Sequence, residues 1–94
     1  MAAEDAGALP GGASPELLEY LARGLVDDPE AVRVERSERE DGLIVLQLHV
    51  APDDVGKVIG RQGRLVRALR TVMRAAATRS RERVAVEIAQ SEPE

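Results

Sequence analysis

Cysteine, phenylalanine and tryptophan are absent from the 94 residues, and tyrosine and histidine occur once each. Each absence closes off a kind of chemistry. Without cysteine there is no disulfide framework and no thiolate metal or redox site. The lone His49 cannot join a histidine cluster, and its alternating surroundings make it a surface strand residue rather than a catalyst. Ser14, Ser37, Ser80 and Ser91 fall in turns or tails with no general base beside them. These gaps leave no credible enzyme, metal site or cofactor. No apolar run approaches the roughly 18 residues of a membrane span. The lack of Phe and Trp, with Tyr20 far from any basic loop, excludes an aromatic base-stacking platform.

What is present is charge, unevenly spread. The chain carries a formal −4, which by itself argues against a polyanion partner. Yet the stretch 56–83 contains nine basic residues (Lys57, Arg61, Arg64, Arg67, Arg70, Arg74, Arg79, Arg81, Arg83) and one acid, Glu82. That is a local +8, so the remainder carries −12. Polyanion binding follows the local field rather than the whole-chain sum.

Residues 1–13 are acidic and rich in Gly and Ala, and lack the basic start and apolar core of a signal peptide. They read as a disordered tail on a cytoplasmic protein. One domain over 14–90 and an acidic tail over 91–94 follow. Ser14-Pro15 is a helix start, Ser as cap and Pro in the first turn. Leu17, Leu18, Leu21, Ala22, Leu25 and Val26 then share one face, and Asp27-Asp28-Pro29 stops the helix. Val32 and Val34 mark a short strand, and 37–42 a polar turn ending in Asp-Gly. The apolar run of the second strand, 43–50, suits a central position. Pro52 opens a helix through Ile59, with Asp53 and Asp54 suited to its N-terminal dipole as capping groups. Val84, Val86 and Ile88 alternate in a third strand.

Between the two later helices lies Gly60-Arg61-Gln62-Gly63, a GxxG loop. Glycine tolerates positive φ and lets another backbone approach closely. The following helix offers unpaired N–H groups and a positive dipole end, and Arg61 and Arg64 add charge, so the loop is a phosphate seat. Alone, GxxG more often marks a tight helix–turn–helix connection; its surroundings favour the seat. In the helix from Arg64 to about Thr78, one arc holds Leu65, Val66, Leu69, Val72, Met73, Ala76 and Ala77. Another holds Arg64, Arg67, Arg70 and Arg74 without interleaved Glu, a cationic ridge rather than a salt-bridged surface.

The order α-β-β-α-GxxG-α-β resembles a single type II KH domain, an α+β fold with a three-stranded sheet and helices packed on one face. The segments 17–26, 50–64 and 68–71 are similar to the small bacterial stand-alone KH proteins of the KhpA (YlqC) family. The likeness spans roughly residues 14–89. It implies a non-catalytic cytoplasmic RNA chaperone or post-transcriptional regulator that binds single-stranded RNA. It also implies homodimers, or heterodimers with KhpB (Jag/EloR), in control of cell elongation and division. By the same resemblance Gly60, Arg61, Gln62 and Gly63 hold the sugar–phosphate backbone. Lys57 and Arg64 flank it, with Arg67 further along the ridge. Val55, Val58, Ile59, Val66 and Leu69 are candidates for the groove floor that receives bases; some of them must face the core instead. The competing reading is a protein-interaction or dimerisation module with weak or no RNA binding.

Overall fold

A computed structural model describes residues 14–89. The tails expected at 1–13 and 91–94 lie outside the described residues. The order is α1 (Pro15–Arg23), a 3-10 turn (Pro29–Ala31), β1 (Arg33–Glu38), β2 (Leu43–His49), a 3-10 turn (Pro52–Asp54), α2 (Val55–Ile59), a 3-10 turn (Arg61–Gly63), α3 (Arg64–Arg79) and β3 (Arg83–Ile88). This is the expected α+β arrangement.

Ser14 caps α1, its Oγ accepting the Leu17 N–H at 3.1 Å. The helix stops at Arg23, short of the expected Asp-Asp-Pro signal. Gly24 follows, where helical propensity is poor, and Leu25 N–H turns back to the Ala22 carbonyl at 2.9 Å. Leu25 and Val26 still pack on the core, but from a loop.

The sheet runs β1-β2-β3. β1 and β2 pair antiparallel through a tight turn, with Gly42 at φ 89°. The Asp41 carboxylate accepts the Leu43 N–H at 3.1 Å. That hydrogen bond, with Arg83 and Arg39 nearby, holds the Asp41 carboxyl below the usual range. β3 pairs parallel to β2, which requires a crossover connection; α2, the GxxG loop and α3 supply it. The loop is therefore part of the covalent link that makes the parallel pairing possible. β1 is longer than its two valines suggested and extends to Glu38 as an exposed edge.

β2 is central, and its burial alternates: Ile44, Leu46 and Leu48 are buried, the residues between them half-buried. His49 is half-buried rather than a plain surface residue. Its Nε2, shut off from solvent, lies 3.2 Å from Glu35 Oε1 without the alignment of a hydrogen bond. The ring, with Arg33 beside it, holds the Glu35 carboxyl below its ordinary value. The core joins Leu18 and Ala22 of α1, Val32, the three β2 residues, Leu69, Met73 and Ala77 of α3, and Val86 of β3.

Leu46 is fully buried at the centre of this cluster. We expect Leu46→Ala to lower the unfolding free energy by about 3 kcal/mol. Urea denaturation followed by circular dichroism measures it; a loss below about 1 kcal/mol would contradict the packing described.

Candidate nucleic-acid interface

The loop is built around two glycines that do different jobs. Gly60 adopts φ 78°, ψ 170°, a region that only glycine occupies readily. A Cβ there would lie 2.8 Å from the Leu65 backbone N and 2.9 Å from the Leu65 Cβ. The first turn of α3 thus sits directly against Gly60. Gly63 is left-handed at φ 74°, ψ 17°, but the space beside it is open, with Val66 Cγ1 at 3.9 Å. Gly60 is required by contact and by φ, Gly63 by φ alone.

Between them Gln62 is also left-handed, at φ 58°, ψ 25°. A side chain in that region costs about 1–2 kcal/mol, and local contacts hold it. Arg67 Nη2 donates to the Gln62 carbonyl at 2.9 Å. Arg64 Nη2 reaches the Gln62 Oε1 at 3.4 Å. Gly60 N–H bonds to the Gly56 carbonyl and Gly63 N–H to the Gly60 carbonyl. The tip is therefore fixed, with Arg61 and Gln62 exposed. α3 begins at Gly63 with no side chain capping it, so its positive end faces the loop.

The expected cations divide by role. Arg61, Arg64, Arg67 and Arg74 are exposed. Arg70 departs from the ridge: it is half-buried, and its Nε donates to the Val86 carbonyl of β3 at 3.2 Å. Lys57 departs further. Its Nζ lies 3.3 Å from Asp27 Oδ2 and 3.7 Å from Asp54 Oδ1. The hydrogen bond to Asp27, with Asp54 behind it, raises the Lys57 pKa. The pairing is thus present at neutral pH, and on the alkaline side it is lost as pH rises through that raised value. Lys57 is thus paired with two carboxylates, one of them buried.

The aliphatic candidates divide as well. Val58 is fully buried and Leu69 is 5% exposed within the core, so neither faces a ligand. Val66 is buried at 8%. Val55 and Ile59 are half-buried and stand outside the core cluster. The expected apolar arc of α3 is narrower than its sequence suggested. Val66, Leu69, Met73 and Ala77 alone are buried in the core, an arc of roughly 80°. Leu65 and Val72, at 37% and 44% exposure, lie outside it.

The expected single helix over 52–59 is a 3-10 turn followed by α2. Asp54 does not cap it: no side-chain cap bond forms at that end. Instead Asp54 is buried at 2%, and its carboxylate accepts the backbone N–H groups of Asp27 at 3.3 Å and Asp28 at 3.1 Å. Sequence reasoning missed this role. The available signal was an acid between a proline turn and an apolar stretch, which reads equally well as a cap.

On the β3 side, a cavity of about 360 Å³ opens between α3 and β3, lined by Arg70, Arg74, Val84, Ala85, Val86 and Glu87. β3 pairs only with β2, so its outer edge faces this cavity with Arg70 on one carbonyl. Among the described residues no group of three acids or histidines could hold a metal ion, and no helix is long and apolar enough to cross a membrane.

Residues 15–88 match the family model described as KhpA/KhpB, KH domain. The chain is 52% identical over 73 residues to the RNA-binding protein KhpA of Clostridium acetobutylicum, covering 78% of this chain and 96% of that one. It is 56% identical over 73 residues to the RNA-binding protein KhpA of Treponema pallidum, covering 78% and 90%. With the protein of the same name from Streptomyces coelicolor it shares 53% over 58 residues, covering 62% and 72%.

The two glycines should respond differently to alanine. Gly60→Ala meets both the backbone of Leu65 and a forbidden φ, and should cost about 3 kcal/mol. Gly63→Ala meets only the φ penalty, about 1 kcal/mol. Equal losses in urea titrations would contradict this division.

Proposed function

The chain belongs to the KhpA/KhpB KH-domain family, and on that footing we propose that it is an RNA-binding protein that grips single-stranded RNA at its GxxG loop. The observation that carries this reading is the loop itself. Gly60 lets α3 start flush against the loop, and Arg61 and Gln62 stand clear of the fold. A sugar–phosphate backbone laid across Gly60–Gly63 meets the positive end of α3 and the guanidinium groups of Arg61 and Arg64. Beyond the loop the strand follows the flank of Arg67 and Arg74 towards the β3 cavity. Val55 and Ile59 form the aliphatic surface that receives bases.

In this role the protein is a non-catalytic RNA chaperone or post-transcriptional regulator of the cytoplasm, working with a KhpB-type partner in the control of cell elongation and division. A single module of this size grips few nucleotides, and pairing raises effective concentration. One surface supports pairing. Leu65 and Val72 are two helical turns apart on one exposed flank of α3, with the exposed Ala68 and Ala75 between and beyond them. Small residues there let a second helix approach closely. The occupant is a second copy of this chain or the KH domain of the KhpB-type partner. Val72→Glu should shift sedimentation at micromolar concentration towards the monomer mass. A wild-type mass fixed at the monomer across that range would remove self-association from the proposal.

The test of RNA binding replaces Arg61→Asp and Gln62→Asp together. Aspartate tolerates the left-handed conformation of position 62, and the Arg67 bond goes to the backbone there, so stability should move by under about 0.5 kcal/mol. The site's charge changes by −3. A carboxylate about 6 Å from a phosphate, at an effective dielectric near 40, costs on the order of 1.4 kcal/mol. Two such repulsions and one lost arginine contact weaken binding by at least about a hundredfold. A folded double variant within about threefold of wild type would favour the interaction-module reading.

Binding should also fall with salt. For about three to four phosphates on a single strand, the slope of log affinity against log salt is roughly −2 to −3. A flat response would show that the arginine flank does not touch RNA.

A further inference from the structure

α2 has five residues, too few to hold a helical conformation or a direction by itself. Its placement depends on its anchors. One is Val58, fully buried. A second is the Gly60 contact with Leu65 at its C-terminal end. The third, at its N-terminal end, is Asp54. This carboxylate is buried at 2%, and a buried carboxylate is retained only where its oxygens are satisfied. It is satisfied by the backbone N–H groups of Asp27 and Asp28, which belong to the loop after α1, far from it in sequence. Lys57 closes the circuit one turn further along, reaching Asp54 at 3.7 Å and the Asp27 carboxylate at 3.3 Å.

We propose that Asp54 is a positioning residue for the GxxG loop, tying α2 to the Asp27–Asp28 backbone, and that Lys57 serves this tether instead of binding phosphate. The inference rests on the RNA-binding reading for its effect on affinity, but not for its effect on the loop. The chain of action is short. Asp54 sets the start of α2, the carbonyl of Gly56, its second residue, accepts the Gly60 N–H at 2.9 Å, and Gly60 sets the height of the loop against α3. Loss of the tether lets α2 shift and the loop widen, while β2 and the core stay in place. The residues of the tether touch no RNA in this arrangement.

The experiment uses the full chain with Asp54→Asn, Asp54→Ala and Lys57→Met. Each variant is assayed by amide hydrogen exchange without RNA and by binding to a fluorescent oligouridylate across a salt series. In Asp54→Asn one oxygen still accepts, but the amide group faces an N–H donor. Its Gly60 and Gly63 amides should exchange at least tenfold faster, with β2 amides unchanged. Its affinity should fall about tenfold at an unchanged salt slope, since no phosphate contact is lost. Asp54→Ala should go further in the same direction. For Lys57→Met, affinity should fall less than threefold and the slope should stay within experimental error of wild type. A slope reduced by about 0.7 would place Lys57 on a phosphate and overturn its assignment. Unchanged loop exchange in a folded Asp54→Asn overturns the tether. If the exchange results hold but wild type binds no oligouridylate, the failure lies with the RNA reading and not with the tether. Should neither Asp54 variant fold, native-state exchange on the unmodified protein decides. The amides of Asp27, Asp28, Gly60 and Gly63 should open together with one denaturant dependence, and independent openings would refute the coupling.

Discussion

The closest constraint in this molecule is the meeting of Gly60 with the first turn of α3. A Cβ at position 60 would stand 2.8 Å from a backbone nitrogen, a distance that no side-chain adjustment relieves. Because α3 must start there, the direction of α3 is set, and with it the placement of Leu69, Met73 and Ala77 over the sheet. The same crossover carries the chain from β2 to the parallel β3. Loop, core and sheet order are thus linked through one backbone contact. The exposed tip follows from it: a loop pressed against a helix start has nowhere for Arg61 and Gln62 to go but outwards.

Charge in this fold is sorted by what each side chain can reach. Arg70 is drawn to the open edge of β3 and satisfies the Val86 carbonyl, an edge group that would otherwise need water. Arg67 braces the strained Gln62 backbone. Lys57 is neutralised by two carboxylates. The positive field over the loop therefore comes chiefly from Arg61, Arg64 and the end of α3, with Arg67 contributing charge while its geometry is committed. The acidic remainder of the chain does not cancel this field, because much of it lies on the β1 edge and its turn, as at Glu35, Glu38, Glu40 and Asp41.

Rigidity at the loop has more than one source. The glycines permit the conformation, but permission is not stabilisation, since glycine also widens the unfolded ensemble. What holds the loop is a bond from Arg67 and a bond into α2, a short helix itself anchored by the buried Val58. A backbone held in advance loses less freedom on meeting a ligand. Such a site suits a partner read through its backbone rather than by aromatic stacking, since the one aromatic side chain, Tyr20, lies on α1.

The element order, the central strand, the cap at Ser14 and the GxxG loop were legible in the sequence, because each rests on local rules of periodicity, capping and turn chemistry. So was family likeness, since the 50–64 stretch combines several such features at fixed spacing. Tertiary structure decided what depends on neighbours distant along the chain. Helical periodicity places Leu65 and Val72 with Leu69 and Met73, but only the position of the sheet decides which of them it covers. Lys57 beside a GxxG loop reads as a free cation until Asp27, thirty residues earlier, is brought alongside it. Asp54 reads as a cap until the fold buries it under two backbone amides of another loop. Local propensity is a property of neighbouring residues; burial and charge pairing belong to the surfaces that folding brings together.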